Sequence, residues 1–124
     1  MSALGLAALV VGGGLGAGAR YLVDGAVMRG RTGVFPVGIL VVNATGSFLL
    51  GLLTGLPAVA PAWLAILGVG VLGGFTTFST VSVETALLGR RGRRDWALLN
   101  LLGTLVVCLI AAALGLTIGG LFPR

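Results

Sequence analysis

The chain has 124 residues, 57% of them hydrophobic and only 9% charged, with a mean hydropathy of +1.16. So little charge cannot cover a water-facing surface, which excludes a soluble globular domain and leaves an integral membrane protein. The net charge of +5 is carried by arginines in short loops, where membrane orientation explains them and nucleic-acid binding does not.

Four apolar segments follow in order, residues 3–23, 34–56, 62–88 and 96–121. Each has at least the ~20 residues that an α-helix needs to cross a ~30 Å hydrocarbon core. The expected fold is therefore an all-α membrane bundle of four helices, forming one domain over residues 1–124. The first segment has no basic leader and no small-residue cleavage signal, so it is expected to be a retained helix. It is apolar until Arg20, which stands beside Tyr21. Two readings are open for that arginine: a cation reaching the interface next to an aromatic belt residue, or a cation at the mouth of an anion pathway.

The first loop carries Arg29 and Arg31, and the second segment follows. Within it, Asn43 and Ser47 are four apart and share one helical face. They suit either hydrogen bonding between helices or donation to a bound anion. A tight, uncharged turn between Pro57 and Pro61 leads to the third segment. Its middle reads Gly73-Gly74-Phe75-Thr76-Thr77-Phe78-Ser79-Thr80, a run of glycines and hydroxyls where they are least expected. Paired glycines weaken a helix by about 1 kcal/mol each. Hydroxyls compete for its backbone hydrogen bonds. In hydrocarbon, freed backbone groups must find partners, so a break here is expected to line a cavity or an ion site.

Beyond the break, Thr77, Thr80 and Glu84 fall on one stripe, with Phe78, Val81, Ser82 and Thr85 on the other side. A carboxylate near a membrane interior is a functional candidate by default. Glu84 also lies about one turn from Arg90, with which it could pair. The third loop, residues 89–95, is strongly basic. The fourth segment then offers Asn100, Thr104 and Cys108 at i, i+4 spacing, suited to helix packing or to a weakly donating ion lining.

An even helix count puts both termini on one side and the first and third loops on the other. Those loops hold Arg29, Arg31, Arg90, Arg91, Arg93 and Arg94, so they are expected to face the cytoplasm and leave the termini outside. Five small-residue spacings, Gly12/Gly16, Gly14/Gly18, Gly51/Gly55, Gly70/Gly74 and Gly115/Gly119, favour a tightly packed, oligomeric bundle of at least two chains. One cysteine and no histidine remove an internal disulfide, a Cys-based metal site and the usual proton shuttle.

Three stretches, Gly16-Ala17-x-x-Arg20-Tyr21, Val42-Asn43-x-x-Gly46-Ser47-Phe48 and Gly73 to Thr80, together make the chain resemble the Fluc/CrcB family of fluoride channels over nearly its whole length. The resemblance implies a passive channel of a bacterial inner membrane that exports cytoplasmic fluoride and lowers its toxicity, with no chemistry catalysed. It implies a dimer of oppositely oriented subunits, with the third helix broken in mid-membrane, two fluoride pores and a structural Na+ at the centre. By position, Gly73 and Thr76 would supply the sodium-binding carbonyls. Phe78 would be a pore phenylalanine with Asn43 beside it, Ser47, Thr77, Thr80, Glu84 and Thr104 would flank the fluoride path, and Arg20 would sit at the vestibule.

This chain departs from the family pattern at Val81, where a second pore phenylalanine is usual, and at Asn100, where an aromatic residue is usual. Its one-sided arginines also sit poorly with a homodimer inserted both ways, and suggest one half of a paralogous heterodimer. Rival readings are a proton-coupled small multidrug-type transporter, a non-conducting partner subunit, and a structural or assembly subunit. The transporter needs a carboxylate within the first helix, and residues 3–23 contain none.

Overall fold

The computed structural model describes every residue except Thr32 and Val34, and it is helical throughout, with no strand among the described residues. Helix α1 spans Ala3–Met28 and opens on Ser2, whose hydroxyl accepts the Gly5 N–H at 3.0 Å. Helix α2 spans Val37–Gly55, and the expected start of this segment at position 34 lies outside the described residues. Helix α3 runs over residues 61–75 and is π-helical across Leu64–Leu72. Helix α4 is Ser79–Arg90, and α5 is Arg94–Gly120 with a π-helical turn at Leu99–Gly103. With α3 and α4 taken together as Pro61–Arg90, four helical runs are long and apolar enough to cross a membrane.

The first helix reaches one turn beyond its expected end. Its 26 residues make a rod of about 39 Å at 1.5 Å per residue, longer than a ~30 Å core. The last turn, with Asp24 and Met28, therefore projects toward the interface.

Backbone-to-backbone approach at glycine organises the packing. Gly12 and Gly16 of α1 lie against Val71, while Gly70 and Gly74 of α3 lie against the backbone of Leu9 and Gly13. In the second pair, Gly51 and Gly55 of α2 lie against the backbone of Ala112 and Leu116, and Gly115 and Gly119 of α5 against that of Phe48 and Leu52. In both pairs the facing residue numbers rise together, so α1 runs parallel to α3, and α2 parallel to α5. Each pair must be closed by a return crossing, which is the alternation of a four-pass chain. Gly14 and Gly18 differ: they are exposed, with open space where a Cβ would stand.

The interior holds polar groups and the exterior is oily. Asn43, Asn100 and Thr104 are buried alongside Ile39, Val42, Val81 and Leu88. Large apolar side chains such as Leu4, Val10, Leu15 and Leu109 stand outward. That inversion suits a lipid solvent, which cannot satisfy a polar group. At one end of the bundle the rings of Phe35 and Trp96 meet edge to face at 6.0 Å, joining the first loop to the start of α5. The Arg93 guanidinium lies 3.7 Å from the Trp96 ring centroid and pairs with Asp95 at 3.2 Å. The first and third loops, and with them six arginines, thus share one end.

Candidate functional site

The centre of the site is the lapse between α3 and α4 at Thr76, Thr77 and Phe78. The paired glycines do not break the helix, although their composition points that way. Gly73 and Gly74 stay helical, because Gly74 is needed for the close approach to Gly13. The chain leaves the helix at Thr76, whose φ of −79° and ψ of 155° are extended. Its N–H still donates to the Leu72 carbonyl at 2.9 Å, as does its hydroxyl at 2.9 Å.

From there side chains replace the helical ladder. The Thr77 N–H donates to Asn43 Oδ1 at 2.8 Å, and Asn43 Nδ2 donates back to the Thr77 carbonyl at 2.9 Å. The Thr80 N–H donates to Thr77 Oγ1 at 3.2 Å, serving a first-turn donor of α4 that has no helical partner. In a continuous helix the Thr77 N–H would close on the Gly73 carbonyl and the Thr80 N–H on the Thr76 carbonyl. Both donors are turned to side chains instead. Gly73 and Thr76 are therefore among the positions at the interruption whose carbonyls lose their regular donors.

A groove of about 440 Å³ opens beside this turn. Asn43 and Ser47 line it from α2, Gly73, Thr76, Thr77 and Phe78 from the interrupted third span, and Thr104 from α5. Phe78 is 73% exposed, and Val81, one turn further on, closes part of the wall. Thr104 is buried, and its hydroxyl has no hydrogen-bond partner among the described residues. A buried hydroxyl without a partner, in a residue that lines the groove, calls for an explanation, and a bound guest would supply one.

The remaining candidates lie elsewhere. Thr80 turns away from the groove, though the Thr77 hydroxyl donates to its own at 3.1 Å. It lines a cavity of about 300 Å³ with Arg20, Tyr21 and Asp24, and another of about 320 Å³ with Asp24, Glu84 and Arg91. The Arg20 Nε is buried with no partner among the described residues. Glu84 makes no ion pair with Arg90; among the described residues the ion pair is Arg93–Asp95. The expected stripe of Thr77, Thr80 and Glu84 is thus divided. Thr80 and Glu84 share an outer cavity. Thr77, ahead of the first turn of α4, lies in the groove with Phe78 and Val81 and reaches Thr80 through its hydroxyl.

Two features escape a reading of the sequence alone. Asp24 lines both outer cavities, and falls just past the expected helix end at residue 23. Its i, i+4 spacing from Arg20 is the signal that marks it. Asn100, expected as the head of a polar stripe on the fourth segment and as a departure from the family pattern, is buried and donates to the Thr85 hydroxyl at 3.0 Å, a partner the sequence does not indicate.

Comparison with known proteins adds an independent line. A family model described as CrcB-like protein, Camphor Resistance (CrcB), matches residues 7–116. A protein of Leifsonia xyli subsp. xyli named fluoride-specific ion channel FluC 1 is 47% identical, over 98% of this chain and 90% of its own length. Proteins named fluoride-specific ion channel FluC are 44% identical in Magnetococcus marinus, over 94% of this chain and 98% of theirs, and 40% identical in Pyrococcus horikoshii, over 93% and 95%.

Proposed function

The chain belongs to the CrcB-like family, and we propose that it is a multi-pass membrane channel that lets fluoride leave the cytoplasm passively. The observation that carries this reading is the groove beside the interrupted helix, where donors converge and no lining residue is charged. Fluoride is small and strongly hydrated, so a narrow path must replace its water with donors. The free Thr104 hydroxyl, the Ser47 hydroxyl and the second N–H of Asn43 can do so, together with the electropositive edge of the Phe78 ring. A lining of neutral donors binds an anion without trapping it. Arg20 on the outer cavity supplies the positive charge that draws the anion to the mouth, where Thr80 offers a hydroxyl donor, and Glu84 lies further out near Arg91.

The carbonyls of Gly73 and Thr76, released from the helical ladder, suit a hard cation, which prefers oxygen ligands. Na+ is the ion we assign there as a structural partner, its charge lowering the cost of holding an anion in a low dielectric. Two carbonyls from one chain leave such a cation short of ligands, so a second subunit in the opposite orientation would complete the set. Among the rivals, a transporter with a carboxylate centred in its first helix gains no support, since the acid of α1 is Asp24 in the last turns.

Two experiments test this. Liposomes containing the purified chain, alone and with any paralogue from the same genome, should release fluoride and retain chloride. No release in either case from folded protein would sink the channel reading, and release only with the paralogue would make this chain one half of a heterodimeric channel. Separately, reporters fused to the C-terminus should show one orientation, outside, as the arginines at the loop end require. An even split of orientations would instead favour a dual-topology homodimer.

A further inference from the structure

Two asparagines grip the interrupted segment, one from each flanking helix. Asn43 of α2 holds both backbone groups of Thr77. Asn100 of α5, 1% exposed, donates from Nδ2 to the Thr85 hydroxyl at 3.0 Å and more weakly to the Val81 carbonyl at 3.4 Å. Between these two anchor points lie Phe78, which lines the groove, and Thr80, which lines the outer cavities. The Phe78 carbonyl is tied to the same turn, accepting from the Ser82 N–H at 2.9 Å and the Ser82 hydroxyl at 3.0 Å.

We propose that Asn100 is a positioning residue for the pathway: with Asn43 it forms a two-point clamp that fixes where the Phe78 ring and the Thr80 hydroxyl stand. The two positions where the chain departs from its family, Val81 and Asn100, are then one device. A valine at 81, 2% exposed, leaves room for the α4 backbone to lie close to α5, and the amide at 100 reaches across to it. A primary amide suits this place because its NH2 has two hydrogens to give to two acceptors on one helix. Buried between apolar neighbours, those bonds have no water to compete with them and hold the turn in a single pose. The role rests on the groove being the ion path, and Asn100 itself need not touch the ion.

The test separates position from conduction. With 4-fluorophenylalanine placed at position 78, the ¹⁹F signal should be one narrow line in the parent protein and should broaden or split in Asn100→Leu. Fluoride efflux of the same variant should fall at least about tenfold, as when a reacting group is misplaced by ~1 Å. Thr85→Val, which removes the hydroxyl acceptor while keeping shape, should show both effects in weaker form, and Thr85→Ser should restore the parent line and rate. Should Asn100→Leu fail to fold, the two Thr85 variants decide alone. An unchanged ¹⁹F line in Asn100→Leu overturns the clamp, whether or not efflux falls. A parent protein that conducts no fluoride overturns the channel reading instead, while the ¹⁹F comparison still reports on the clamp.

Discussion

Replacing Gly115 by leucine is expected to abolish recovery of folded protein, seen as loss of the monodisperse peak when the membrane fraction is solubilised in mild detergent. A Cβ at Gly115 would overlap the Phe48 carbonyl and crowd the Leu52 N–H, both backbone atoms of α2 that cannot step aside. Relief requires α2 and α5 to separate along their length. Overpacking costs about 1–3 kcal/mol where side chains can yield, and here they cannot. In a membrane no hydrophobic effect draws the helices back together, so nothing replaces the van der Waals attraction that a separated seam forfeits. Gly14→Ala is the matched control: its added methyl meets open space, and yield should be unchanged. Equal losses in both variants would mean that glycine content itself, through backbone flexibility, is what the protein requires.

Asn43→Leu should be the most damaging single change to conduction. The asparagine, 6% exposed, supplies the acceptor for the Thr77 N–H and the donor for its carbonyl. A leucine of similar bulk leaves two buried backbone groups without partners, each at about 1–3 kcal/mol. The turn can re-pair them only by rejoining the helix, so that the Thr77 N–H returns to the Gly73 carbonyl. Fluoride efflux from liposomes should drop by roughly 100-fold, since every 1.4 kcal/mol is a factor of ten. The proposed sodium carbonyl would be lost in the same step. Retention of efflux within a few-fold of the parent, in folded protein, would show that the turn holds its shape without this amide.

Much of this architecture is legible from residues alone, for identifiable reasons. Crossing a membrane imposes a length and an apolarity that few other segments meet, so the helices show plainly in the sequence. Glycine spacings show the seams, and four of the five pairs are used within the chain. The fifth, Gly14/Gly18, has the same pattern yet faces outward, because spacing records which residues share a face and not what covers it. The interruption falls inside the anomalous run from Gly73 to Thr80, but at its hydroxyls and not at its glycines. Glycine reads as a breaker, whereas Gly73 and Gly74 serve proximity and the hydroxyls and Asn43 do the breaking. The pairing of Asn100 with Thr85 cannot be read at all. It joins residues fifteen apart on different helices, and no local periodicity carries that information.

The glycine seams have a genetic consequence. Any missense change in a glycine codon adds at least one carbon, so at Gly16, Gly51, Gly74 and Gly115 every amino-acid replacement drives an atom into a facing carbonyl. At outward positions such as Leu4, Leu15 or Leu109, exchange of one apolar residue for another leaves the lipid-facing surface intact. Harmful alleles of this gene should therefore concentrate at a handful of codons on the two seams, while most of the coding length drifts freely among apolar residues. Random mutagenesis with selection for growth in fluoride would show that concentration directly.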